Sequence, residues 1–228
     1  MGLYSYIEGK YLEDHSTVSI TGGGGKTTFL IGLSRYLKSR GRSVLLTTTT
    51  KFQSPDSLDF HADRIFFESD VALRHAPLIG ESVYFARRYD ERKCCSPCLE
   101  DLKMLSASYD MTLIEADGAG CRPLKMHTEK DPVILDSTTL TVAFIGARSI
   151  GMRIEDACCG CSDSGIVDIS FIQKLIDSRE GVLKGARGSA IIVVNQCDEV
   201  DMSAFRCLSS PVELLFASAE KDIVYGTL

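Results

Sequence analysis

No apolar stretch in this 228-residue chain approaches the ~20 residues that span a bilayer, so no membrane-crossing helix is expected. The opening residues, MGLYSYIEGKYLEDH, also lack a basic segment followed by a long apolar run. With no export signal in view, the chain is read as cytoplasmic, without a membrane partner. An excess of positive charge is missing too: 25 lysines and arginines stand against 31 acidic residues, a formal net charge of −6. Without a basic stripe to meet serial phosphates, nucleic acid is not an expected partner. Nor is there a paired-cysteine framework, because nine cysteines is an odd number in a chain with no export context. They are expected as reduced thiols or as ligands.

What is present centres on one stretch, Val18-Ser19-Ile20-Thr21-Gly22-Gly23-Gly24-Gly25-Lys26-Thr27-Thr28. A β-prone run enters consecutive glycines. Lys-Thr-Thr then opens a segment with apolar residues at Phe29, Leu30, Leu33, Tyr36 and Leu37, the spacing of a helix that Gly41 stops. Glycines let backbone N–H groups converge on an anion, and a helix N-terminus adds unpaired donors. In a phosphate loop of this kind, Gly22, Gly23, Gly24, Gly25 and Thr28 would surround the phosphates. Lys26 would reach the β/γ-phosphates and Thr27 would place its hydroxyl on Mg²⁺. Ile20 stands where the pattern G-x-x-x-x-G-K-[ST] has its first glycine, which leaves the shorter Gly22-x-x-Gly25-Lys26-Thr27. Two variant loops share that form: the loop of SIMIBI-class nucleotide-binding proteins and the G-x-x-G-K-T-T loop of Mur-type amide ligases.

An apolar content of 44% with 25% charged residues is ordinary for a globular protein, and the length suits one α/β domain. The expected architecture is a mostly parallel sheet flanked by helices in three layers, a phosphate-loop NTPase of the SIMIBI kind. Residues 1–228 form one domain in this reading, with insertions around 52–98 and 147–168. Strands are read at 42–46, 109–115, 140–146, 190–194 and 214–217. In the first insertion, 64–67 and 82–86 read as an antiparallel pair around a short helix or turn at 72–78. Residues 99–105 and the segment around Phe171, Leu175 and Ile176 read as helices.

Several strands end in polar groups, where open α/β sheets place ligands. Thr47 to Lys51 is a threonine run, explained equally by β-propensity, and Thr49 is taken from it as a binding residue. Glu115 and Asp117 end an apolar strand. A carboxylate there can hold Mg²⁺ directly or through water, so Lys26, Glu115 and Asp117 form the candidate catalytic set, with Thr27 and Asp117 as Mg²⁺ ligands. Asp117-x-x-Gly120 has the spacing of a GTPase switch, whose glycine N–H senses the γ-phosphate. Asn195-x-x-Asp198 is similar to the N-K-x-D motif that reads guanine, and Ser218-Ala219 to its companion loop. Gln196 and Glu220 replace the usual lysines. Guanine is thereby favoured over adenine, with ATP left open.

The segments ITGGGGKTT, LLTTTTKF, TLIEADGAGCRPLKM, DPVI and VVNQCDEV together resemble the YqeC family over roughly residues 10 to 220. The most specific part is E-A-D-G-x-x-x-R-P-L-K, matched by Glu115, Ala116, Asp117, Gly118, Arg122, Pro123, Leu124 and Lys125. The resemblance implies a nucleotide-binding accessory protein that helps mature selenium-dependent molybdenum hydroxylases. Its partners would be the hydroxylase or the hydroxylase's other accessory proteins.

Cys94-Cys95-Ser96-Pro97-Cys98 and Cys158-Cys159-Gly160-Cys161 gather six of the nine cysteines into two loops. Cys95, Cys98, Cys159 and Cys161 could together hold Zn²⁺ or another soft metal, or serve as redox dithiols. As buried cysteines they would only pack. The leading functional expectation is a Mg²⁺-dependent protein binding ATP or GTP and hydrolysing it slowly. The alternatives are a kinase or ligase acting on a small acceptor, and a thiolate metal carrier with a nucleotide switch.

Overall fold

A computed structural model describes residues 1–55 and 62–228, so residues 56–61 of the first expected insertion lie outside the described residues. In chain order the elements are α1 (Leu3–Tyr11), β1 (Ser16–Gly22), α2 (Lys26–Ser39), β2 (Val44–Thr48), β3 (Phe52–Gln53) and β4 (Arg64–Phe66). Then come α3 (Ser69–Arg74), β5 (Ser82–Phe85), β6 (Arg87–Arg88), β7 (Lys93–Cys95), α4 (Leu99–Ser106), β8 (Met111–Glu115) and β9 (Leu124–Lys125). The chain continues through β10 (Leu140–Gly146), α5 (Ile154–Ala157), β11 (Cys158–Cys159), α6 (Ile169–Asp177), β12 (Ser189–Asn195), β13 (Glu213–Ser218) and β14 (Ile223–Thr227).

The protein is α/β. One nine-stranded sheet runs β14-β13-β12-β10-β1-β8-β2-β5-β4, parallel throughout except for the β13–β14 edge pair. β1 and β10 are buried at every position, as strands covered on both faces must be. On one face Val18, Ile20, Leu113, Val142, Phe144 and Val193 pack under Phe29, Leu30, Leu33 and Leu37 of α2 and Leu3 and Ile7 of α1. The Phe29 and Phe144 rings stand 5.0 Å apart. Removing a side chain such as Leu33 from this layer would cost about 2–5 kcal/mol, since the lost contacts leave a cavity behind.

The opposite face is divided. Ala143, Ile145, Ile192 and Val194 pack under Phe171, Ile172, Leu175 and Ile176 of α6, while Leu45, Val83, Phe85 and Ile114 pack under α3 and α4. Between these patches β1 presents Thr17, Ser19 and Thr21. Segment 116–139 crosses this seam by hydrogen bonds: Thr17 N–H donates to Thr139 Oγ1 (3.1 Å), and the Ser19 and Thr138 hydroxyls meet at 2.8 Å.

The 64–67 and 82–86 strands do not pair antiparallel, as their short separation suggests. β4 and β5 are parallel neighbours, because α3 intervenes as a full crossover and returns the chain to the same end of the sheet. The expected insertion at 52–98 is thus split. β4 and β5 extend the main sheet, while β3, β7 and β6 form a separate three-stranded antiparallel sheet. In the second insertion, β11 pairs in parallel with β9.

Candidate functional site

Strand order places the glycine loop at a reversal point. The chain leaves β1 towards β2 on one side and later returns to lay β10 on the other, which opens a crevice at the carboxyl ends of the strands. Gly22, at φ 88°, begins the loop, and a Cβ there would sit 2.2 Å from Phe144 O. Only glycine fits both the backbone and the space. Gly25, at φ 115°, immediately precedes Lys26 and α2, and a Cβ there would meet Asn195 Nδ2 at 2.2 Å. The loop is tied down on both sides: Gly23 N–H donates to Phe144 O (3.0 Å), and Asn195 Nδ2 donates to Gly24 O (2.9 Å).

Behind the loop lies a buried ionic cluster. Lys26, 5% exposed, donates to Gly22 O (2.6 Å) and lies 3.0 Å from Asp117 Oδ1 and 3.7 Å from Glu115 Oε1. Asp117 Oδ2 accepts from Gly22 N–H at 2.8 Å and faces His127 Nε2 at 2.6 Å. His127 Nδ1 is 2.7 Å from Gly181 O, so both ring nitrogens face acceptors. Burial alone would raise the Asp117 carboxyl, but Lys26 and His127 outweigh it and hold it below the usual carboxylate range. Glu115 goes the other way. Burial, reinforced by the Asp117 charge, pushes it up to about 7 despite Lys26 and the Thr27 hydroxyl, which donates to Glu115 Oε2 at 3.3 Å. Lys26 is driven down by burial, yet Asp117 and Glu115 together keep it above its ordinary value.

In front of the loop is a cavity of about 560 Å³, a size that suits a small-molecule ligand. Gly24, Gly25, Lys26, Thr27, Thr28, Glu115 and Gly120 line it, all expected site residues. So do four cations from other segments, Lys51, Lys93, Arg122 and Arg148, against the single acid Glu115 among the described residues. In a chain with net charge −6 this is a local inversion of sign, and it suits an anion.

Other expected residues sit elsewhere. Thr49 donates its hydroxyl to Val133 O at 2.6 Å and fastens segment 116–139, while Lys51, two residues on, reaches the cavity. Asp117 faces inward, towards Gly22, Lys26 and His127, and the carboxylate that the Thr27 hydroxyl meets is that of Glu115. Asn195 bridges the glycine loop to the companion segment, since its Oδ1 accepts from Ala219 N–H at 2.8 Å. Asp198 pairs with Lys221 at 3.0 Å; Ser218, at the end of β13, is buried. Cys95 lies in β7, Cys98 at the start of α4, Cys159 in β11 and Cys161 just beyond it. All nine cysteines are free thiols, and among the described residues no group of three or more Cys, His, Asp or Glu stands together as a metal site. The thiol coupled to Cys161 is Cys158, which burial above all pushes up to about 12.

Sequence reasoning missed His127, Lys93 and Arg148. A lone histidine two residues past Lys125 has no period or spacing that announces its burial. Lys93 reaches the cavity only because β7 pairs with β3 directly after Lys51.

Residues 18–162 match the model of the YqeC protein family. The chain is also 32% identical over 144 residues to the uncharacterized protein YqeC of Escherichia coli strain K12; the match covers 61% of this chain. It spans 55% of that relative's length. Matching the family model over more than half its length, the chain belongs to the YqeC family.

Proposed function

We propose that this protein is a Mg²⁺-dependent nucleotide-binding protein with a SIMIBI-like phosphate-loop fold, a slow NTPase that serves as an accessory factor in maturing selenium-dependent molybdenum hydroxylases. The nucleotide part rests on one observation: Gly24 to Thr28 of the loop and Glu115, from adjacent strands, face one cation-lined cavity. The maturation role rests on the family resemblance.

The chemistry follows from three groups. A lysine ammonium has three N–H donors. Lys26 donates to Gly22 O and is paired ionically with Asp117 and Glu115, and its ammonium also borders the cavity, where a phosphate oxygen can approach it. The first turn of α2 adds unpaired backbone donors at Thr27 and Thr28. The Thr27 hydroxyl and Glu115 carboxylate are hard oxygen donors side by side on that wall, which suits Mg²⁺, a cation that takes few protein ligands and leaves the rest of its shell to phosphate and water. Bound there, Mg²⁺ would neutralise charge shared by the β- and γ-phosphate oxygens. Fixed donors aimed at developing charge, rather than a nucleophilic side chain, would supply the rate enhancement.

Calorimetry with Mg·ATP and Mg·GTP, followed by a phosphate-release assay, tests the reading. Binding of at least one nucleotide with slow release of phosphate is expected; no binding of either overturns it.

A further inference from the structure

The cavity extends well beyond the glycine loop. Its lining runs from Gln196, after β12, to Lys51, after β2. The intervening strand order is β12-β10-β1-β8-β2, four spacings or roughly 19 Å at ~4.8 Å each. The loop stands at the middle. A nucleotide held there by its phosphates, with its base towards Gln196, would occupy the β12 half. The β2 half carries its own cations.

Lys51 and Lys93 reach that half because the small antiparallel sheet sets Gln53 opposite Lys93. The Lys51 ammonium sits 3.9 Å from the centre of the Tyr89 ring, which holds it by a cation–π contact that leaves its N–H donors available. Among the described residues no carboxylate pairs with Lys51, Lys93 or Arg122. Like charges gathered on one wall of a cavity repel one another, and an anionic ligand relieves that repulsion. Arg122 stands between the halves: its segment packs over Gly23, where a Cβ would lie 2.7 Å from Arg122 O.

We propose that Lys51, Lys93 and Arg122 form a second anion subsite, which takes a phosphate-bearing co-substrate alongside the nucleotide. This rests on the nucleotide reading above and extends it: the cavity is built for two anionic ligands rather than for one nucleotide and water.

The test uses the full chain saturated with Mg²⁺ and a non-hydrolysable ATP or GTP analogue, titrated calorimetrically with inorganic pyrophosphate. One further binding event is expected. The Lys51→Ala/Lys93→Ala variant should weaken it about tenfold or more while nucleotide affinity stays within about twofold. No second event, or one indifferent to the double substitution, overturns the proposal. Equal losses for pyrophosphate and nucleotide overturn it as well, because the lysines would then serve the nucleotide itself. Should the parent bind no nucleotide, the nucleotide reading fails, and the subsite is judged by titrating the parent and the Lys51→Ala/Lys93→Ala variant without nucleotide. Pyrophosphate binding there that depends on Lys51 and Lys93 sustains it, and its absence overturns it.

Discussion

His127 Nε2 lies 2.6 Å from Asp117 Oδ2, with both side chains 0% exposed. Because the same oxygen accepts the Gly22 N–H, the histidine acts on the glycine loop through one carboxylate. Through Nδ1 it also ties that carboxylate to the turn at Gly181.

Replacing His127 should therefore do more than leave a hole. His127→Ala leaves a buried carboxylate oxygen without one of its hydrogen-bond partners, a loss of about 1.5–3 kcal/mol for a bond to a charged group. Urea unfolding should show that loss, and nucleotide affinity should fall with it as the Gly22 end of the loop loosens. A variant as stable as the parent would mean the contact is incidental.

The raised Glu115 carboxyl makes a signed prediction. Its ordinary value is 4.5 and its folded value is about 7, so in that window the folded chain holds a proton that the unfolded chain has lost. Stability therefore falls as pH rises from 4.5 to about 7 and levels off above it. Asp117 is shifted downwards from 3.8, so its stabilising contribution is lost only below that pH and does not overlap. Unfolding free energies at pH 5 and pH 8 should converge in Glu115→Gln relative to the parent. Parallel pH profiles in the two proteins would contradict the assignment.

Thr27→Ala is the clean test of cation binding. Its hydroxyl contributes only a 3.3 Å hydrogen bond to the folded protein, so the unfolding midpoint should move little. Nucleotide affinity measured with Mg²⁺ should drop about tenfold, towards the value without it. Lys26→Ala also removes binding, but it leaves Asp117 and Glu115 buried without their shared cation, so a large loss of stability is expected alongside. Unchanged Mg²⁺-dependence in Thr27→Ala would remove Thr27 from the site.

Base choice is tested at Asp198. In Asp198→Asn the loss of a charged acceptor should weaken GTP binding by about 1.5–3 kcal/mol and leave ATP nearly unchanged. The Lys221 partner, 3.0 Å away, must yield to the base, so Lys221→Ala should tighten GTP binding slightly. Equal losses for both nucleotides would remove the guanine preference.

Much of this arrangement is legible in the order of residues alone. Consecutive glycines between a β-prone run and a helical stripe announce their own geometry, and apolar runs that end in Glu115, Asn195 or Ser218 mark strand ends on one side of a parallel sheet. Local pattern does not say which strand ends become neighbours. The pairing of β1 with β8 brings Glu115 to Thr27, and the small sheet brings Lys93 to Lys51, through contacts distant in sequence. Helix α1 has only Leu3, Tyr4 and Ile7 to bury, too short a stripe to read without α2 beside it. Strand β14 lies at the sheet edge and exposes alternate residues, so its pattern is faint.

The single carboxamide of Asn195 grips Gly24 O with one atom and Ala219 N–H with the other. The glycine loop and the turn after β13 are thereby one mechanical unit, although 171 residues separate Asn195 from Gly24 along the chain. A ligand that orders either end lowers the cost of ordering the other, and by reciprocity the effect is equal in both directions. Substitutions at Ser218 or Glu220 should thus be felt by an anion that never touches them.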